Sequence, residues 1–427
     1  MALLPTSPVH WDHKAVYAVL SGGDPITAND ALLLWDVTWT PMEGERKELP
    51  YAKPYFGANH SELINVRSKI SFKIGLSGAG TQAAPIWDRL VRASGATRVQ
   101  VPATALATIA AAPTKVSGTG AFTITRAAAY GGVHARTVTL TCTTGGGSGV
   151  AAFTVAAPAI GSDAAISATG RVMTVGQSFV LGGGAAVTIA AIATPFVAGD
   201  VFTINLIPAG CTYTPSSDRV NAPSLDFLLT LPDPENSAQQ QGWRMLGGRS
   251  TLKGTGTADD YPYLEMEVTA DYAAPALLPA LTPVYTAWPD PVLVSTESTP
   301  LCRLFGFDVV AESWGFDAGV QIEYVSRVGR KGARKADAKA SFTAKIEAPS
   351  IASADFFGLC RSRAKGEFLL QHGAEPGAAV VIHAPRWQLD APKPGESKKD
   401  YMLDLSGSAL PTNGDDDWTL FASTAAA

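Results

Sequence analysis

The chain has 427 residues, enough for two to four domains at about 100–200 residues each. Hydrophobic residues make up 46% and charged ones 17%, which excludes a disordered chain, and 41 Gly with 29 Pro fall short of a collagen-like or low-complexity composition. A formal net charge of −5 argues against a general nucleic-acid binder, which needs a basic face to release counterions from phosphate. No apolar run approaches the ~18 residues of a spanning helix. The N-terminal residues 1–5 lack a basic flank, and Pro5, Pro8, His10 and Asp12 break up the segment, so no signal peptide is expected. Cys142, Cys211, Cys302 and Cys360 form no C-x-x-C pair, which predicts buried thiols in a reducing cytosol rather than a disulfide or zinc scaffold.

The first strong element spans 69–76, where Ile70, Phe72, Ile74 and Leu76 alternate with Ser71, Lys73 and Gly75, the period of a half-buried strand. Gly75, Gly78 and Gly80 then read as a turn, since their spacing is wrong for a dinucleotide-binding loop. Residues 85–93 read as a short helix with Pro85 in its first turn, Trp87, Leu90 and Val91 on one face, and Gly95 just past its end. Residues 113–210 form a region of their own. These 98 residues hold six charged ones, about 6%, against about 20% elsewhere. Short alternating runs such as 122–124, 138–140, 152–155 and 201–204, with Gly-rich turns at 145–149 and 182–184, predict a small β-sandwich. Further strands are predicted at 263–269, with Leu264, Met266 and Val268 against Glu265, Glu267 and Thr269, at 320–324, and at 338–347, with Ala340, Phe342, Ala344 and Ile346 against Ser341, Thr343 and Lys345. Residues 353–363 read as a second short helix around Phe356, Phe357 and Cys360. Asp415, Asp416 and Asp417 read as a solvated turn, lacking the ligand spacing of a calcium loop.

Five signals recur in one order, which predicts an internal repeat. Trp35-Asp36-Val37 matches Phe307-Asp308-Val309, Lys69-x-Ser71-Phe72 matches Lys339-x-Ser341-Phe342, and Arg92-Ala93-x-Gly95 matches Arg363-Ala364-x-Gly366. Asp226-Phe-Leu-Leu229 matches Glu367-Phe-Leu-Leu370, and Leu264-Glu265-Met266 matches Leu403-Asp404-Leu405. Successive spacings are 36, 20 and 38 residues in the first half against 34, 21 and 36 in the second. One interval differs, 135 against 5, as if about 130 residues were inserted after the first short helix. The domains read from this are 1–112 and 211–290 as the first unit, 113–210 as the insert and 291–427 as the second unit.

Chemistry is hard to find. There is no H-E-x-x-H, G-x-S-x-G or G-x-x-x-x-G-K-[ST] motif, and His10, His13, His60, His134, His372 and His383 suggest no metal set. No catalytic residue, cofactor or metal is expected. The basic run 327–339 carries Arg327, Arg330, Lys331, Arg334, Lys335 and Lys339 with no interleaved aromatic, which reads as a solvated loop or as a clasp onto an acidic neighbouring subunit.

Duplicated β-units of this size, each with one short helix, resemble the tail tube (major tail) proteins of long-tailed bacteriophages. The likeness extends to the strand 32–40 leading into an acidic–basic loop at 43–53, the Gly78-x-Gly80 to Pro85-Ile-Trp87 helix entry, and the closing segment 414–421, and it covers roughly 20–112 and 211–427. The resemblance implies a mainly β chain of two tube-forming sandwich or barrel units; the insert, read as a small immunoglobulin-like sandwich, is expected on the outside of such a tube, where it does not obstruct the bore. It implies a virion structural protein, assembled in the host cytoplasm, whose rings stack into a hollow tube. Its partners would be further copies of itself and other tail proteins (tape measure, terminator, tip), with DNA passing through unbound. Two units per chain point to three chains per ring with pseudo-sixfold symmetry, a plain hexamer being the alternative. Ile70, Phe72, Ile74, Ala340, Phe342 and Ile346 are then expected to pack the tube wall. Ser71, Glu265, Glu267, Ser341 and Thr343 are expected to face the lumen, and Arg327, Arg330, Lys331, Arg334 and Lys335 to form an inter-subunit loop. The rival readings are a β-rich carbohydrate-binding protein or hydrolase, or another virion component such as a capsid or baseplate protein.

Overall fold

The alternating stretches around Phe72 and Met266 become neighbouring antiparallel strands, and the stretch around Phe342 becomes a strand of the same sheet. A computed structural model describes residues 11–22, 25–53, 57–218 and 222–425; Pro5, Pro8 and His10 lie outside them. The chain is mainly β, with 55% of residues in strands and 5% in helices. No helix among the described residues is long and apolar enough to cross a membrane.

A first unit opens with β1 (Ala15–Leu20), β2 (Trp35–Glu48), β3 (Ser61–Gly75), helix α1 (Asp88–Ala93) and β4 (Ala96–Val101). The insert comes next with one helical turn, α2 (Ala105–Thr108), and strands β5 (Thr114–Ser117), β6 (Ala121–Ala128), β7 (Arg136–Thr144), β8 (Ala152–Ala157), β9 (Ile166–Val172), β10 (Ser178–Gly182), β11 (Ala185–Thr194) and β12 (Val201–Leu206). The first unit resumes with β13 (Gly210–Pro215), β14 (Leu225–Pro232), β15 (Gln239–Ser250), β16 (Lys253–Thr257), β17 (Tyr263–Tyr272) and β18 (Ala276–Pro279). The second unit holds β19 (Leu301–Leu304), β20 (Phe307–Asp308), β21 (Ala311–Asp317), β22 (Val320–Arg327), β23 (Arg330–Ala338), β24 (Ser341–Glu347), helix α3 (Phe356–Arg361), β25 (Lys365–His372), β26 (Val380–Leu389), β27 (Lys393–Ser397), β28 (Asp400–Ala409) and β29 (Thr419–Ser423).

The two units share one pairing topology. In the first, β1, β14, β15 and β17 pair in succession, β17 also pairs with β16 and β3, and β3 pairs with β2. In the second, β19, β25, β26 and β28 pair in succession, β28 also pairs with β27 and β24, and β24 pairs with β21. One further pairing, β16 with β21, joins the units. The order β27-β28-β24-β21-β16-β17-β3-β2 is therefore one continuous antiparallel sheet of eight strands. A second layer packs on one face of it. The long strands β15 and β26 take part in both layers, β26 pairing with β25 along most of its length and with β28 through Trp387 to Leu389. Between the layers Phe72 meets Phe227 at 6.1 Å, Phe342 meets Phe368 at 4.8 Å, and Leu90 and Val91 of α1 are buried in the same core.

The registers correct several matches drawn from spacing. Phe307 and Asp308 fold back on β19, with Arg303 opposite Asp308, whereas Trp35 begins β2; the counterpart of β2 is β21. Leu264 and Met266 stand opposite Ile74 and Phe72, while Leu403 and Leu405 stand opposite Ile346 and Ala344. The equivalent of Phe72 is thus Ala344, two positions from Phe342, and Ile70 takes the place of Phe342. A shift of two keeps the buried face, so alternation alone cannot detect it. Helix α1 starts at Asp88 rather than at Pro85, and α3 spans only Phe356–Arg361, where the Asp355 carboxylate accepts from Gly358 N–H at 2.8 Å as an N-cap. The segment 43–53 is strand as far as Glu48.

The insert leaves from β4 rather than directly from the helix, and it returns into β13, which pairs with β4. Its strands form a five-stranded sheet, β5-β12-β7-β8-β9, and a three-stranded sheet, β10-β11-β6, that share one core containing Phe153, Phe179 and Phe202. Its Val133 and Ile160 pack against Leu301, Leu369, Val381 and Phe421 of the second unit. Alternation places these four on the side of the second layer that faces away from the main sheet. Replacing residues 102–209 by an Asn-Gly turn should preserve both units, because Val101 and Gly210 are direct strand partners. The bare deletion is expected to aggregate through the uncovered patch, and adding Leu369→Thr, Val381→Thr and Phe421→Thr to restore a soluble β-rich product, as read by size-exclusion chromatography and circular dichroism.

Candidate functional site: the open face of the main sheet

The main sheet buries one face and leaves the other open, and the residues of interest divide between them. Ile70, Phe72, Ile74, Ala340, Phe342 and Ile346, expected to pack a tube wall, are all buried in the chain's own core. They hold the two layers of one chain together. Ser71, Glu265, Glu267, Ser341 and Thr343 lie on the opposite face, half-buried or exposed.

Registers gather these polar residues into cross-strand rows. Lys73 stands opposite Glu265, Glu265 opposite Lys253, Lys253 opposite Asp317, and Asp317 opposite Ser341. With Asp36 bonded to Lys73 at 2.8 Å, the row alternates acid and base across the seam between the units. A second row sets Thr38, Ser71 and Glu267 side by side, and a third sets Thr255, Gly315 and Thr343. Opposite charges placed directly across antiparallel strands contribute roughly 0.2–1 kcal/mol per pair.

Several cations of this face are engaged by carboxylates. Lys69 lies 3.1 Å from Glu43 and 3.9 Å from Glu267, Lys253 lies 3.4 Å from Asp317, and Lys345 lies 2.7 Å from Glu312. Arg67 forks onto Glu43 through Nε and Nη2 at 3.1 and 3.0 Å. The Arg67 hydrogen bond, helped by Lys69, lowers the Glu43 carboxyl to about 2. The Asp36 carboxylate raises Lys73, and Lys345 with Ser397 lowers Glu312. Lys253, Asp317 and Glu312 carried no sequence signal of their own, and Asp36 was marked only as part of the repeat; the alternation around Ser71 and Lys73 marked the face.

The basic run is not a loop. Arg327 ends β22, and Arg330, Lys331, Arg334 and Lys335 belong to β23, the two strands pairing from Val320 and Ala338 out to Arg327 and Arg330. Arg334 pairs with Glu323 at 2.9 Å, and Lys335 Nζ donates to Ser216 O at 3.1 Å, within the same chain. The hairpin crosses from the second unit onto the first, where the Tyr324 hydroxyl donates to Val66 O at 3.1 Å.

The insert docks through a buried polar cluster. His134 Nε2–H donates to Gln371 Oε1 at 2.7 Å, which also accepts from Ser162 N–H at 3.1 Å, while Gln371 Nε2 donates to Ser162 Oγ at 2.7 Å. The Asp163 carboxylate accepts from the Tyr130 hydroxyl and from the N–H groups of Val133 and His134. Among the described residues no group of three or more His, Cys, Asp or Glu is placed to hold a metal ion.

Neither protein-family models nor curated proteins give a match to this chain.

Phe342 touches Phe316 and Phe368 and is fully buried, so Phe342→Ala should lower chain stability by about 3–5 kcal/mol in urea titration. Burial lowers the affinity of His134, His372 and His383 for protons, against the opposing Gln371 bond at His134. Above about pH 6.5 the rings are neutral in the folded and unfolded chain alike. Below it the unfolded chain binds protons that the folded chain does not, so stability falls with pH. The thermal midpoint should therefore drop between about pH 6.5 and 5, and His134→Gln should flatten that slope.

Proposed function

We propose that this chain is a structural protein that closes into rings and stacks into the tail tube of a long-tailed bacteriophage, a conduit for DNA. The observation that carries the reading is the continuous sheet: two like units joined edge to edge, with one face in the chain's core and the other polar and uncovered. A sheet of this kind ends in two strand edges, and closing it into a barrel removes them.

Three copies would contribute about 24 strands to such a barrel. At about 4.8 Å between strands and a tilt of about 40°, the backbone ring is roughly 50 Å across. Side chains reduce the bore to roughly 40 Å, ample for a duplex of about 20 Å. The open face suits passage rather than capture, because Lys69, Lys73, Lys253 and Lys345 along it are each held by a carboxylate and so are poorly placed to grip phosphates. The insert, seated on the opposite side of the second layer, would stand on the outside of the tube and leave the bore clear.

Negative-stain imaging with analytical ultracentrifugation tests this. Rings or hollow tubes with a wide bore are the expected result; a monomer at every concentration overturns the reading. The double variant Glu265→Lys with Glu267→Lys should still assemble but should retain DNA at low salt, with binding that weakens steeply as salt rises. Strong DNA retention by the unmodified protein would contradict a conduit.

A further inference from the structure

The chain contains a worked example of the joint it needs. Where its two units meet, β16 of the first lies antiparallel to β21 of the second, with Lys253 opposite Asp317, Gly254 opposite Phe316, Thr255 opposite Gly315 and Gly256 opposite Trp314. The fit is close: a Cβ on Gly256 would stand 2.5 Å from the Trp314 ring. The β22–β23 hairpin reinforces this seam by reaching across to Val66 of the first unit.

The same two edges recur, unpaired, at the ends of the eight-stranded sheet. β27 is the counterpart of β16, and β2 is the counterpart of β21. Among the described residues β27 has β28 as its only strand partner and β2 has only β3. The outer half of the first unit's hairpin, residues 43–48 and 61–66, corresponds to β22–β23. It leaves Leu63 and Ile64 exposed at 42% and 38%, with Met42 at its base exposed at 48%, where the second unit's hairpin is packed on its neighbour.

We propose that β27 of one copy pairs antiparallel with β2 of the next, in the register of β16 with β21, and that the first hairpin lies across the second unit of that neighbouring copy. This rests on the ring-forming reading and names its interface. The partner registers carry Lys253 to Lys393 and Phe316 to Trp39, so Lys393 stands opposite Thr40, Pro394 opposite Trp39 and Gly395 opposite Thr38. Trp39 packs its ring beside Pro394 as Phe316 does beside Gly254. Pro394 offers a carbonyl and no N–H, which leaves the β27 edge one donor short and makes it a poorer template for unrelated strands.

Disulfide trapping tests the register in the full chain. Thr38 and Gly395 lie on the open face at opposite ends of one chain's sheet, seven strand spacings or about 34 Å apart, so a bond between them joins two copies. Directly opposed residues have Cβ atoms about 4.5–5.5 Å apart, close enough for cysteines to bridge. On mild oxidation, the double variant Thr38→Cys with Gly395→Cys should give a covalent ladder ending at the ring size. It should yield roughly tenfold more product than Thr38→Cys with Lys393→Cys, which is two residues out of register. Each single variant controls for Cys360, the native cysteine that is not fully buried. As a second measure on the unmodified protein, amide exchange at residues 37–40 and 395–397 should slow by about 100-fold on assembly. Rings that form without in-register crosslinking and without this protection overturn the proposed seam while leaving the ring intact. A chain that never leaves the monomeric state overturns the ring and the seam together.

Discussion

The pairing of β16 with β21 is the contact on which the rest of the molecule depends. Each strand is the outermost member of its own unit's sheet, and an outermost strand exposes a row of backbone N–H and C=O groups that must find partners. Placed edge to edge, the two rows satisfy each other and turn two four-stranded pieces into one eight-stranded sheet. Gly256 makes room for the Trp314 ring, and Lys253 meets Asp317 across the joint. Without that joint there is no continuous polar face, no charge row from Asp36 to Asp317, and no pair of matching edges at the two ends.

The second layer and the insert divide the remaining tasks. The aromatic stacks between the layers stiffen each unit from within, and the long strands β15 and β26 tie one layer to the other by belonging to both. The outward side of the second layer is apolar around Leu369, Val381 and Phe421, and the insert covers it. The insert is therefore no loosely tethered passenger. Its His134 and Ser162 meet Gln371, a polar residue that is itself fully buried, so the docking is fixed by direction as well as by apolar area. Polar and apolar demands are thus separated through the thickness of the molecule: polar main-sheet face, apolar core, second layer, apolar patch, insert.

Residues on strands were legible wherever burial is one-sided. Alternation around Phe72, Met266 and Phe342 marked the strands and assigned Ser71, Glu265, Glu267, Ser341 and Thr343 to one face, because side chains in a strand must point to opposite sides in turn. The basic stretch from Arg330 to Lys335 was not legible as strand. Its charges sit on an arm partly in solvent, where no apolar period is imposed, and its pairing partner is the preceding β22 rather than a core strand. Lys253 and Asp317 were equally silent, since each acquires its meaning only from the residue across the joint.

Composition, periodicity and the repeated order of short signals determined by themselves that the chain is mainly β, that a charge-poor segment interrupts it, and which residues share a face. These are properties of neighbours along the chain, and burial imprints them directly on residue type. Register was decided only in the tertiary structure. Sliding one strand by two residues leaves every apolar side chain on the same face, so Phe72 could be matched to Phe342 until their opposite strands placed it with Ala344. The join between the units and the seat of the insert were decided there too. Both depend on backbone edges and on surfaces far apart in sequence, which no local pattern records.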